Sequence, residues 1–150
     1  MDVIKFLDID ADSVIGCQEK INQIDKIAAL FFQTIRDEYA ERATFESLSV
    51  EMVMDGTSRA LLKGPFAAGR ILYSPKIDSQ GIHARMVIQR EELDERDRPV
   101  WKEIAAFKIN ADSQVLGQDG NVLINLRRHD RFGPFQIAAG IAAALGASPW

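Results

Sequence analysis

The feature that most constrains this fold is an apolar stripe at helical spacing between residues 12 and 42. Its side chains recur every three or four residues: Cys17, Ile21, Ile24, Ala28, Phe31, Phe32, Ile35 and Tyr39. A helix over residues 18–42 would extend about 37 Å at 1.5 Å per residue. A compact chain of 150 residues has a diameter of about 38 Å. The stripe therefore needs a partner surface that crosses the whole domain.

Over residues 44–128 the spacing of apolar side chains changes from every three or four residues, which is typical of a helix, to every second residue, which is typical of a strand. The clearest alternation is Ile82, Ala84, Met86 and Ile88 against polar neighbours. Asp55-Gly56 and Asp119-Gly120 are typical of two-residue hairpins, and the first of them would pair Met52 with Arg59. Residues 58–63 could instead form one helical turn. We expect a turn-rich loop over residues 74–81 and a charged loop over residues 90–99.

The two ends of the chain complete an α+β prediction. Residues 1–11 alternate apolar and acidic side chains, which fits an edge strand or an extended arm. Gly133-Pro134 marks the start of an almost wholly apolar helix over residues 134–146. Short hairpins without strand–helix alternation favour antiparallel pairing. We predict one domain over residues 1–150, with a long N-terminal helix packed on a mostly antiparallel sheet of five or six strands.

Composition narrows the classes of function. The formal net charge of −4 disfavours nucleic-acid binding, which needs a basic face. The single cysteine, Cys17, excludes an internal disulfide framework and is expected to be a small core residue. No apolar run reaches the roughly 20 residues of a membrane span, and no secretory signal is apparent. These observations predict a cytoplasmic protein.

Catalytic and cofactor motifs are missing from the sequence. There is no nucleophile elbow, phosphate-binding loop or dinucleotide fingerprint, and no His or Cys pair has metal-ligand spacing. We predict no metal and no cofactor. Glu103 and His83 are weak candidates for acid–base work in a cleft between helix and sheet. Trp101, Tyr73 and Arg85 would line that cleft. Alternatively, Glu103 forms an exposed cross-strand pair with Arg85 or Arg70.

A basic segment precedes the C-terminal helix. Arg127, Arg128 and Arg131 could bind a small anion there, since the first N–H groups of a helix are unpaired and attract negative charge. The alternative is a solvated basic turn.

The C-terminal helix has almost no polar side, so it must be covered by its own chain or by a partner. Leu30 also falls on the polar side of the long helix. The predicted interface residues are Leu30, Ile137, Ile141, Leu145 and Trp150. We expect a non-catalytic protein–protein interaction module, such as an adaptor, assembly factor, chaperone-like protein or inhibitor, that self-associates or joins a hetero-complex. The alternative is a small-molecule-binding or enzymatic α+β domain.

Overall fold

The computed structural model describes residues 11–78, 81–128 and 132–146. Its three helices are α1 (Ala11–Glu41), α2 (Ala43–Ser47) and α3 (Gly133–Gly146). Its strands are β1 (Glu51–Met54), β2 (Arg59–Lys63), β3 (Ala68–Asp78), β4 (Gly81–Leu93), β5 (Pro99–Asn110), β6 (Gln114–Leu116) and β7 (Val122–Asn125). The α+β prediction is confirmed, with seven strands instead of five or six. The predicted N-terminal strand or arm lies almost wholly outside the described residues.

The sheet is a curled antiparallel meander in which each strand pairs with the next along the chain. Both α1 and α3 pack on one face of it. That face carries the buried side chains of the strands, including Met52, Leu62, Ile71, Met86 and Ile109. The opposite face is open to solvent and is called the outer face below.

The stripe of α1 is buried from Ile24 to Tyr39, as its spacing predicts. Cys17, however, is exposed, so its predicted place in the core is wrong. Among the described side chains of α1, burial begins at Ile24, and Lys20 and Gln23 lie beside the start of β4 and the end of β5. Cys17 precedes them on the helix and is not covered by these strand ends.

Helix α3 is tied to the rest of the fold by two hydrogen bonds. The Tyr39 hydroxyl donates to the Ala138 carbonyl at 2.7 Å. The guanidinium of Arg90 donates to the Ala144 carbonyl at 3.0 Å and also pairs with Glu92. Arg90 is only 7% exposed, although the sequence placed it in a solvated loop. Its position over the last turn of α3 satisfies a carbonyl that has no partner within the helix.

The strands are longer than their turn signals predicted. Strand β3 continues to Asp78 and β4 begins at Gly81, so residues 74–78 are strand and not loop. Pro75 is tolerated because β2 pairs with β3 only as far as Leu72. The missing N–H of Pro75 therefore costs no ladder bond to β2. Half of the charged segment 90–99 is likewise strand, and its turn is confined to residues 94–98.

Both predicted hairpins have longer loops than two residues. Met54 pairs with Ala60, and Met52 pairs with Leu62 rather than with Arg59. Gly56 still adopts the expected positive φ of 82°. Residues 59–63 form a strand, which excludes the alternative helical turn. The loop between β6 and β7 spans residues 117–121, because Leu116 pairs with Val122.

Candidate functional site

The residues predicted to line a cleft lie on both faces of the sheet, although Tyr73, Arg85 and Glu103 border one groove of about 560 Å³. Tyr73 faces α1, where its hydroxyl donates to Asp25 Oδ1 at 2.6 Å. Arg85 and Glu103 lie on the outer face of the sheet. Glu103 lies on the outer face because β5 contains a β-bulge. Ile88 pairs with Ala105 but Gln89 pairs with Glu103, so β5 has one extra residue at this point, and the side chains before it point to the opposite face. Simple alternation had placed Glu103 on the same side as Phe107.

On the outer face, Glu103 has the structural role that the sequence offered as an alternative. Its Oε1 lies 3.6 Å from Arg85 Nη2, and both side chains are about half exposed, at 48% and 47%. Trp101 is stacked under the Arg70 guanidinium, which lies 4.2 Å from the ring centroid. An exposed ion pair and a solvated cation–π contact are ordinary features of a sheet surface.

The other polar candidates lie apart from Glu103. His83 borders a groove of about 410 Å³ with Lys20, Gln23 and Lys108, and a second groove with Arg85. Arg127 and Arg128 are exposed in the turn after β7, and Arg131 lies outside the described residues. Within residues 11–78, 81–128 and 132–146, no three potential metal ligands cluster. None of the helices in these ranges has the length and apolarity needed to cross a membrane.

The predicted interface residues divide into two groups. Ile137, Ile141 and Leu145 are buried by the chain itself, at most 5% exposed, which favours the intramolecular packing that the sequence left open. Leu30 is 37% exposed on the solvent side of α1. Trp150 lies outside the described residues. The part of α3 that remains accessible is therefore a different side, which carries Phe135 and several alanines.

That accessible side forms one wall of an apolar groove of about 330 Å³. We call it the apolar groove. Its walls come from α2 and the residues after it, from the Pro65-Phe66 turn and from α3, and Thr44 is its one lining residue with a polar side chain. The lining residues are Thr44, Phe45, Leu48, Val50, Pro65, Phe66, Phe135, Ala139, Ala142, Ala143 and Gly146.

Phe66 is the most exposed large apolar side chain among the described residues, at 81%. The Gly64 N–H donates to the Ala67 carbonyl at 3.0 Å, and this turn projects Phe66 outward. Gly146 lets the ring lie against α3, since an added Cβ there would be 3.2 Å from Phe66 Cδ2. Leu48, on the opposite wall, is 45% exposed. Two large apolar side chains thus flank the groove without cover from the described chain.

A second groove adjoins the first and shares Val50 with it. This edge groove has a volume of about 470 Å³ and runs between the C-terminal part of α1 and strand β1. It is lined by Arg36, Tyr39, Ala40, Glu46 and the five consecutive residues Ser49 to Val53. Consecutive strand residues alternate between faces. A groove lined by all five must therefore follow the edge of β1 rather than one face.

The end of the molecule that holds both grooves carries more acidic than basic side chains, with Glu38, Glu41, Glu46 and Glu51 against Arg36, Arg42 and Lys63. Glu41, Glu46 and Glu51 are exposed, and none forms an ion pair with a described residue. The last turn of α1 contains no basic residue. The C-terminal end of a helix carries a partial negative charge, so acidic side chains there raise the local negative potential. Arg36 is the one basic residue among those that line the edge groove, and Lys63 on β2 is the register partner of Glu51.

Comparison with protein-family models, with curated proteins and with solved structures finds no match to this chain. The sequence carried one signal for the apolar groove, an aromatic residue directly after Gly64-Pro65, where a turn keeps side chains at the surface.

Proposed function

We propose that this chain is a protein–protein interaction module that binds its partner through the apolar groove. The observation that carries the proposal is a groove with almost only apolar side chains, flanked by Phe66 at 81% and Leu48 at 45% exposure. Exposed apolar patches of this kind mark interaction sites. Interface energy is concentrated in buried aromatic and aliphatic anchors, which such a groove can accept or supply.

The chemistry of the groove and its surroundings describes the partner. The lining offers few hydrogen-bonding side chains, so the inserted group is apolar. Arg42 lies over the Phe135 ring but pairs with Glu38, whereas Glu41, Glu46 and Glu51 form no ion pair with a described residue. The surplus charge is therefore negative, and residues beside the inserted group are basic. The occupant is therefore a partner segment with an apolar anchor next to lysine or arginine.

The single cysteine bears on where such a module works. Cys17 is exposed and unpaired. Free thiols persist in reducing compartments and are oxidised outside them. This supports the proposal of a cytoplasmic protein.

A peptide-library selection tests the proposed function. Random peptides displayed on phage are selected on the full chain, and the dissociation constants of enriched peptides are measured by calorimetry. We expect peptides with an apolar anchor and basic neighbours. Leu48→Asp should weaken their binding at least about tenfold, because it places a charge in the apolar groove.

The matched control is Leu123→Asp on β7, the same change at a residue of nearly the same exposure, 44%. It should leave the affinity unchanged. Failure to enrich any peptide, or equal losses with the two variants, would overturn the proposal. Light scattering on the same samples reports self-association, and a dimer that Leu48→Asp dissociates would make a second copy the partner.

A further inference from the structure

We propose that the partner segment continues from the apolar groove along the edge groove and adds a strand to the free edge of β1. This inference rests on the proposed function and specifies how the partner binds. Strand addition uses backbone hydrogen bonds for affinity and side-chain pockets for specificity. Strand addition requires unpaired backbone N–H and C=O groups at an accessible edge and a groove beside that edge. It also requires a property of the edge, such as its charge, that favours one kind of bound segment.

The pairing of β1 shows which of its backbone groups are available. The Asp55 N–H donates to the Arg59 carbonyl at 2.9 Å, which fixes the alternation of the ladder. In antiparallel pairs, every second residue directs its N–H and C=O to the partner strand. Glu51 and Val53 therefore bond to β2, whereas the backbone groups of Met52 and Met54 point to the free edge. An added strand would meet these groups.

The edge groove gives an added strand a place to lie. Its wall on the α1 side is made by Arg36, Tyr39 and Ala40, which lie three and four residues apart on one helix face. The Val50 N–H donates to the Phe45 carbonyl at 3.0 Å, so the pairing site begins after Val50. Because the two grooves meet at Val50, one continuous segment can fill both.

Charge selects the occupant. Glu46 and Glu51 line or flank the path of the added strand, and Glu41 lies at the nearby end of α1. Pairing of β1 with β1 of a second copy would bring two such acidic ends together, which is unfavourable. A basic extended segment would instead neutralise them. The geometry therefore points to an extended peptide that alternates basic and apolar residues.

The test uses two synthetic probes, a seven-residue peptide that alternates lysine and valine, and its counterpart with glutamate for lysine. Each is titrated into the ¹⁵N-labelled full chain and followed by NMR. We expect the lysine peptide to shift the amides of Met52 and Met54 most strongly and to bind at least about tenfold more tightly than the glutamate peptide. Added salt should reduce that preference.

Two charge-reversal variants sharpen the result. Glu46→Lys combined with Glu51→Lys should abolish or invert the preference between peptides. The matched control combines Glu19→Lys with Glu95→Lys, which changes the net charge equally at exposed positions away from β1. The control should keep the preference. Equal effects of the two double variants, or shifts concentrated on β7, which is the other sheet edge, would overturn strand addition.

The two proposals fail separately. Library peptides that lose affinity with Leu48→Asp but leave the Met52 and Met54 amides unshifted would support the apolar groove and overturn strand addition. Shifts at Met52 and Met54 with the lysine peptide, without any library peptide sensitive to Leu48→Asp, would support the edge and overturn the apolar groove.

Discussion

Phe31→Ala is the substitution that most severely tests the packing of α1 on the sheet. Phe31 is fully buried, and its ring centroid lies 6.1 Å from that of Phe32 and 6.4 Å from that of Phe107 on β5. Truncation removes the ring from this contact and leaves a cavity that the helix and sheet can only partly close. Phenylalanine-to-alanine changes in such cores reduce the free energy of unfolding by about 3–5 kcal/mol.

For a chain of this length, about 1 kcal/mol lowers the melting temperature by about 2–4 °C. The expected decrease is therefore about 6–20 °C, measured by circular dichroism or calorimetry. Phe66→Ala is the matched control, because it makes the same chemical change at a side chain that is 81% exposed. It should change the free energy of unfolding by no more than about 0.5 kcal/mol.

The refuting result is a small effect of Phe31→Ala. A loss below about 1 kcal/mol, or one equal to that of Phe66→Ala, would show that α1 does not shield the sheet. The separation of core from surface in this fold would then be wrong.

Three further predictions concern stability. Gly69→Ala should lower the free energy of unfolding by about 1–3 kcal/mol, because its Cβ would collide with Leu145 and with the backbone oxygen of Gln89. Gly140→Ala, with no atom within 4 Å of its added Cβ, should stabilise α3 by up to about 1 kcal/mol. Denaturant titration measures both changes, and an unchanged stability of Gly69→Ala would refute the close packing at Gly69. Burial raises the pKa of Tyr39, and unfolded tyrosine ionises near pH 10, so stability should fall as the pH rises above about 10. Tyr39→Phe should reduce this loss of stability at high pH. An unchanged slope of the free energy of unfolding against pH would contradict the prediction. Glu103→Gln should lower the free energy of unfolding by less than about 1 kcal/mol, because its ion pair is half exposed. A larger loss in the same denaturant titration would indicate a buried role for Glu103.

The sequence predicted correctly those elements that are determined by residues close together in the chain. The burial of α1 between Ile24 and Tyr39 follows from a 3.6-residue period that is visible in the sequence. The length of α1 that the sheet covers depends on where the distant strands β4 and β5 begin and end, which no signal within the helix gives. The prediction for Cys17 was wrong for that reason.

The positions of the polar candidates depended on pairing between distant segments. One extra residue in β5 turned Glu103 away from Phe107, and nothing in residues 100–110 marks the bulge. The burial of Arg90 likewise requires the end of α3, more than fifty residues later in the chain. The apolar groove combines α2, Phe66 and α3, so its residue types were visible in the sequence but their meeting was not.

The affinity of library-selected peptides for the Leu48→Asp and Leu123→Asp proteins tests the central claim most directly. Binding should weaken at least about tenfold with Leu48→Asp and be unchanged with Leu123→Asp. Peptides that bind both variants as tightly as the unaltered chain would contradict binding in the apolar groove.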